Sequence, residues 1–157
     1  MGSEADRFAT PRVAAGALFV NGAGKVLLVR KTCDKRWDIP GGYVDTGESP
    51  ARACVRELVE ELGVDRRPFR VLAVDWAPTE QDGDKLLWVF YCGELADDEH
   101  RIRLDGGELD RWEWVDVEAL DDYLIPRLVR RLKQAHTARA EGLTVYLEHG
   151  EPALKSR

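Results

Sequence analysis

The sequence predicts an α/β domain in which short strands lie between two helices, and three observations lead there. Residues 50–62 carry both end signals and the apolar stripe of one amphipathic helix. The runs 12–20, 25–31, 68–78, 85–95 and 112–115 read as strands, the fourth of them rich in β-branched and aromatic residues. From Asp116 to about Ala140, Leu120, Leu124, Leu128, Val129 and Leu132 return at helical spacing. Two helices with strands around them fit a sheet covered on both faces.

The first helix is bounded by its own chemistry. Ser49 can cap its N-terminus, Pro50 suits the first helical position because the missing N–H costs nothing there, and Gly63 can take the left-handed position after Leu62. Ala51, Cys54, Val55, Leu58 and Leu62 form the predicted buried stripe, and Glu57, Glu60 and Glu61 share the other side. At ~100° per residue, Glu57 and Glu61 lie about 40° apart on the helical wheel. Like charges at this spacing repel. A hard divalent cation removes the conflict, because carboxylate, carbonyl and water oxygens suit Mg²⁺ or Mn²⁺ and substrate phosphates complete the coordination.

Ahead of this helix, runs 12–20 and 25–31 flank the turn NGAG and predict a β-hairpin. The polar stretch KTCDKR then leads to a short strand at Trp37, Asp38 and Ile39. Pro40 disfavours helix there, and the glycine pair Gly41 and Gly42 lets backbone approach a ligand closely. After the helix come a strand over 68–78, a turn over 79–84, and a near-continuous apolar run over 85–95 that suggests a strand buried on both faces. Residues 96–110 read as an acidic loop and 112–115 as a last short core strand, after which Asp116 caps the second helix, with an interruption at Pro126. Residues 1–141 form one domain in this reading. Residues 142–157 are an extension whose LTVYLEH alternates like a strand, suited to an added edge strand, a contact in a homodimer, or packing over the domain.

Composition narrows the function. A chain of 157 residues, 44% hydrophobic and 33% charged, is one soluble globular domain. No run reaches the ~18 apolar residues of a membrane span, and the polar start MGSEADRFAT lacks the basic-then-apolar pattern of a secretory leader, so the cytoplasm is expected. Cys33, Cys54 and Cys92 are odd in number and lack C-x-x-C spacing, which suggests neither a disulfide framework nor a zinc site. A net charge of −6 argues against wrapping long nucleic acid by phosphate neutralisation. An acidic chain that acts on polyphosphates needs a cation between the two.

Gly42, five residues, Glu48, seven residues, Arg56-Glu57-Leu58, one residue, Glu60-Glu61, one residue, Gly63-Val64: this pattern resembles the full signature of the Nudix hydrolases, G-x5-E-x7-R-E-U-x-E-E-x-G-U with U aliphatic. Every specified position is matched. At residue frequencies of roughly 5–10%, seven fixed positions would match by chance on the order of once in 10⁵ to 10⁶ chains. The resemblance implies an α/β/α sandwich with a central mixed sheet, and hydrolysis of a nucleoside diphosphate linked to another moiety. It also implies Mg²⁺ or Mn²⁺ as cofactor, with Glu57 and Glu61 as principal ligands, Glu60 a third and the Gly41 carbonyl a fourth. Arg56 is then expected to hold a glutamate of the signature by a charge-assisted hydrogen bond, with Glu48 bracing the loop and Gly42 and Gly63 in structural roles.

Family members often take a further carboxylate from before the last core strand. Glu108 is the best match, with Asp105 and Asp110 nearby, and either Glu57 or Glu108 suits the role of general base. Two or more ions would lower the pKa of a bound water and neutralise the diphosphate. Among substrates, a nucleoside triphosphate, oxidised ones included, and a nucleotide sugar such as ADP-ribose both stay open. Pro78 lies near where ADP-ribose-type members carry a proline, whereas the motifs of coenzyme A-specific and NADH-specific members are absent. The alternative is a domain of the same fold that senses a nucleotide without cleaving it; such members tend to lose carboxylates that this chain keeps.

Overall fold

A computed structural model of the chain describes residues 2–104 and 106–154. Side chains alternate in direction along a strand, so a strand placed between two helices serves two cores at once. In β1 (Arg12–Leu18) and just beyond, Ala15, Ala17 and Phe19 face one core, while Leu18 and Val20 face the other. β2 (Val26–Lys31) repeats this, with Leu27 and Val29 on the first side and Val26 and Leu28 on the second.

The chain continues through β3 (Trp37–Asp38), β4 (Gly41–Tyr43), α1 (Pro50–Leu62), β5 (Arg70–Trp76), β6 (Lys85–Tyr91) and β7 (Leu109–Val115) to α2 (Pro126–Glu141), β8 (Val145–Glu148) and β9 (Glu151–Pro152). One sheet has the order β4-β1-β6-β5-β8-β9, and the other β3-β2-β7. The first is mixed, because β1 and β6 run parallel, as do β5 and β8, while the remaining pairs are antiparallel. Ala53, Cys54, Leu58 and Leu62 of α1 pack into one core, and Leu128, Val129, Leu132 and Ala135 of α2 into the other. The predicted class, strands between two helices around a mixed sheet, is the class observed.

Three local expectations are corrected. The runs around NGAG do turn back, with the Asn21 side chain accepting from the Ala23 and Lys25 N–H groups, but they pair only at one bridge between Val20 and Val26. Both edges of β1 are taken by β4 and β6, so β2 leaves for the second sheet. The buried stripe of α1 contains Ala53 and the carboxylate Glu61, whereas Ala51 is exposed and Val55 half-buried. The stretch after Asp116 is a 3₁₀ turn over Val117–Asp122 without a side-chain cap from Asp116, and the helix proper begins at Pro126. Proline holds the preceding Ile125 extended, at φ −65° and ψ 152°, so no helix passes through.

Two smaller differences follow the same logic. The acidic segment before β7 contains a 3₁₀ turn at Ala96–Arg101, and β7 starts three residues ahead of Trp112. β6 is buried on both faces only at Val89 and Phe90, because its Lys85 end walls a cavity.

The segment after α2 joins the first sheet through β8 and β9. β8 pairs with β5, Leu147 is fully buried, and the Gly150 N–H donates to Asp75 Oδ1 at 3.0 Å. A chain ending at Glu141 is therefore expected to lose at least about 2 kcal/mol, the cost of one buried leucine together with an unpaired buried carboxylate oxygen. Urea unfolding of the shortened chain checks this, and an unchanged midpoint would contradict it.

Candidate active site

The site is built where the start of β4 meets the middle of α1. α1 is capped as its sequence directs: the Ser49 side chain accepts from the Arg52 N–H at 3.2 Å, and Gly63 closes the helix at φ 69°. One turn apart on it, Glu57 and Glu61 face the Gly41 and Gly42 backbone. The Gly41 N–H donates to Glu61 Oε1 at 2.8 Å. A side chain at Gly41 would meet backbone, whereas one at Gly42 would displace the Glu57 carboxylate. A Cβ at Gly41 would stand 2.2 Å from the Ala15 carbonyl oxygen, at a φ of +148° that favours glycine, and one at Gly42 would stand 2.5 Å from Glu57 Oε1.

Glu108 completes the group from the loop before β7. Glu57, Glu61 and Glu108 each offer an oxygen, and these atoms lie within 4.8 Å of one another. Three carboxylates at that separation with no cation among them repel strongly, and Glu61 is 7% exposed. Burial pushes Glu61 up to about 8, against the Gly41 N–H, which lowers it, and with Glu57 and Glu108 adding to the rise. Burial also raises Glu57, although Arg56 works against it. The donor set fits a hard divalent cation, which takes oxygen ligands and relieves this repulsion.

Arg56 ties the loop to the helix. Its Nε and Nη2 each donate to Glu48 at 2.8 Å as a fork, Nη1 donates to Glu57 Oε1 at 3.0 Å and to Glu60 Oε2 at 3.3 Å, and Nη2 reaches the Tyr43 carbonyl at 3.1 Å. This paired guanidinium holds Glu48 down at about 2, and the Asp45 N–H assists. The loop between β4 and α1 is thus clamped by a planar, two-pronged donor.

The residues singled out in the sequence separate into groups. Glu57, Glu61 and Glu108 converge. Glu60 is exposed, turns toward Arg56 and stays out of the trio, although it lines the same shallow depression as Glu61 and Glu108. Asp110 is engaged elsewhere, accepting from Arg30 Nε at 2.8 Å and from Lys35 Nζ, which together hold it at about 2. Asp105 lies outside the described residues.

A cavity of about 310 Å³ adjoins Gly41 and Gly42, between α2 and the β1 and β6 strands. Sequence reasoning passed over its charged side chains. Asp38, Lys31, Lys85 and Arg131 line it, and burial raises Asp38 while the three cations oppose the rise. Lysines and arginines in a chain of net charge −6 carry no such signal in the sequence, because four separate elements bring these residues together. Several aromatic rings pack on one another: Trp37 edge-on against Tyr123, Trp88 against Phe90, and Tyr91 against Phe69.

Comparisons with known proteins show the family of the chain. The family model described as NUDIX domain matches residues 10–137. A Bacillus subtilis (strain 168) protein, provisionally named an 8-oxo-dGTP diphosphatase, is 31% identical over 118 residues, 75% of each chain. An RNA pyrophosphohydrolase of Psychrobacter cryohalolentis (strain ATCC BAA-1226 / DSM 17306 / VKM B-2378 / K5) is 33% identical over 129 residues, 71% of this chain and 72% of its own. The crystal structure of a MutT protein from Methanosarcina mazei Go1 superposes with a TM-score of 0.68 at 25% identity, covering 86% of this chain and 98% of that one. With the signature, the sandwich and a domain match spanning most of its length, this chain belongs to the Nudix family and is a Nudix hydrolase of the pyrophosphohydrolase kind.

Proposed function

We propose that the chain is a Mg²⁺- or Mn²⁺-dependent pyrophosphohydrolase that cleaves the diphosphate of a nucleoside diphosphate joined to a further group. That group is a third phosphate, on an ordinary or an oxidised nucleotide, or a sugar as in ADP-ribose. The observation that carries this reading is the convergence of Glu57, Glu61 and Glu108 within 4.8 Å beside the Gly41 peptide. Substrate is a small molecule in this reading, no membrane is involved, and the protein works in the cytoplasm. Among the described residues no helix is long and apolar enough to cross a membrane.

Glu57 and Glu61 would hold the cation, with the Gly41 carbonyl beside them, while Glu60 stays at the flank on Arg56. Held by these residues, a cation would supply charge to neutralise the diphosphate and to lower the pKa of a water. Arg56 fixes Glu57 through Oε1, which suits Glu57 to a ligand's fixed role. The Glu108 side chain is exposed and has no hydrogen-bond or ion-pair partner among the described residues, so it can swing to a water and take its proton at a carboxylate oxygen. Gly42, with no side chain, leaves the Glu57 carboxylate room beside the backbone.

The test is release of phosphate, pyrophosphate and nucleoside monophosphate from nucleoside triphosphates, ordinary and oxidised, from ADP-ribose, and from RNA with a 5′-triphosphate. Turnover of one class with Mg²⁺ and none in EDTA is expected. No turnover anywhere, with calorimetric binding of a nucleotide, would replace this reading by a sensing domain.

A further inference from the structure

β2 and β7 pair residue for residue from Val26 with Val115 to Arg30 with Arg111, and there the register breaks. Lys31 meets Leu109, so Asp110 is an extra residue opposite no partner, a β-bulge at the end of β7 that adjoins Glu108. The bulge changes which way the chain faces. Trp112 and Trp114 pack against the core under α1, and strict alternation would send Asp110 to that side and Leu109 away from it. With one residue inserted, Leu109 enters the core under α1 instead, and Leu109 and Glu108 line the depression they share with Glu61.

The inserted residue is held from two sides. Arg30 Nε, on β2, donates to Asp110 Oδ1 at 2.8 Å, and Lys35 Nζ donates to Oδ2 from the turn between β2 and β3. That turn is closed by the Lys35 N–H on the Lys31 carbonyl at 2.9 Å and the Lys31 N–H on the Arg36 carbonyl at 2.8 Å. Within it Lys35 stands at φ 60°, in the left-handed region that disfavours a residue with a side chain. The same turn holds the loop, because the Thr32 N–H donates to the Glu108 carbonyl at 2.9 Å. The Glu108 carboxylate, by contrast, has no hydrogen-bond or ion-pair partner among the described residues. Its place beside Glu57 and Glu61 is therefore set through its backbone.

Resting on the reading of Glu57, Glu61 and Glu108 as a cation site, we propose that Asp110, clamped by Arg30 and Lys35, is a positioning residue that fixes the bulge and so sets the Glu108 carboxylate where its charge meets the cation. Asp110 touches none of the three carboxylates in this role; it acts through Glu108. An exposed ion pair elsewhere on the surface would add little. Here the clamp governs a carboxylate that no other side chain holds. With the clamp removed, residues 108–110 are tied to β2 by backbone alone, and the Glu108 carboxylate moves with them.

The experiment is a double-mutant cycle on the full chain, read by Mn²⁺ binding in electron paramagnetic resonance titrations and by urea unfolding. Glu108→Gln removes one charge of the trio, and Asp110→Ala removes the acceptor of the clamp. Each alone is expected to weaken Mn²⁺ binding roughly 10-fold, the loss that follows when the partners that orient a metal site are removed. Introduced into Glu108→Gln, Asp110→Ala is expected to change the affinity by less than about twofold. Loss of the Asp110 charge acting through space would persist in Glu108→Gln, so additive losses overturn the proposal. So does an affinity that either single substitution leaves unchanged, and a lower urea midpoint for Asp110→Ala at full affinity would show a clamp that only stabilises the strand pair. Lys35→Met, at an exposed position, replaces Asp110→Ala if that variant does not fold, with the same coupling to Glu108 expected. A wild-type chain that binds no Mn²⁺ overturns this assignment together with the cation reading. Coupled losses of affinity without turnover of any nucleotide leave the assignment standing and remove hydrolysis.

Discussion

Glu61→Gln is expected to lower turnover roughly a thousandfold, the several kcal/mol that a metal-held diphosphate gains in its transition state at tenfold per 1.4 kcal/mol. Glutamine retains an oxygen for the Gly41 N–H, so the loop should stay in place. What is lost is the charge. The same substitution should act oppositely on the metal-free protein. Glu61 is raised to about 8 by burial, so the folded state binds this proton more tightly than the unfolded chain, whose carboxyl titrates near 4.3. Its ionisation therefore destabilises the fold progressively as pH rises from about 4.3 to 8. In EDTA, the variant should lose less stability than the wild type across that window. Added Mg²⁺ should raise the melting temperature of the wild type and have little effect on the variant. Melting curves at pH 5 and pH 8, with and without Mg²⁺, check all three. Near-normal turnover would remove Glu61 from the site, and identical pH dependence would show that its charge is relieved in some other way.

Asp75→Ala is expected to cost about 3–5 kcal/mol, far from the carboxylate trio. Asp75 is fully buried, accepts from Arg131 Nε at 2.6 Å and from the Gly150 N–H at 3.0 Å, and so joins β5, α2 and Gly150. Removing it leaves the Arg131 guanidinium, 8% exposed, without its counter-charge. The melting temperature should fall by roughly 10 °C. The pair need not be optimal, since a well-packed apolar replacement of both members is often neutral or stabilising. Asp75→Leu combined with Arg131→Met should therefore recover much of the loss. Urea unfolding of the single and double variants decides, and a cost below about 1 kcal/mol for Asp75→Ala would mean that water reaches Arg131.

The reach of sequence reading followed the range of the interactions. α1 was legible residue by residue because its cap, its proline and its closing glycine act within one turn, and all three are found where expected. Its buried face was partly misread. A helical wheel ranks positions by apolarity and cannot know that Gly41 and Gly42 present bare backbone to it, which draws Glu61 inward and leaves Ala51 outside. The partners of β1 were misread for a similar reason. A short turn argues for pairing of its own flanks, yet β4 and β6, from elsewhere in the chain, occupy both edges.

By itself, then, the sequence determined the class of fold, the helix that bears the carboxylates and the family chemistry those carboxylates imply. Local capping and spacing are written in consecutive residues. Only the tertiary structure decided that Glu108 joins Glu57 and Glu61 while Asp110 is held by Arg30 and Lys35. It also decided that Glu60 turns away, that Asp38 lines a cavity among basic side chains, and that Gly150 is pinned to Asp75. Each depends on which strand lies beside which. That choice is made by burying two faces of one sheet at once, a condition on the whole chain that no short stretch of it records.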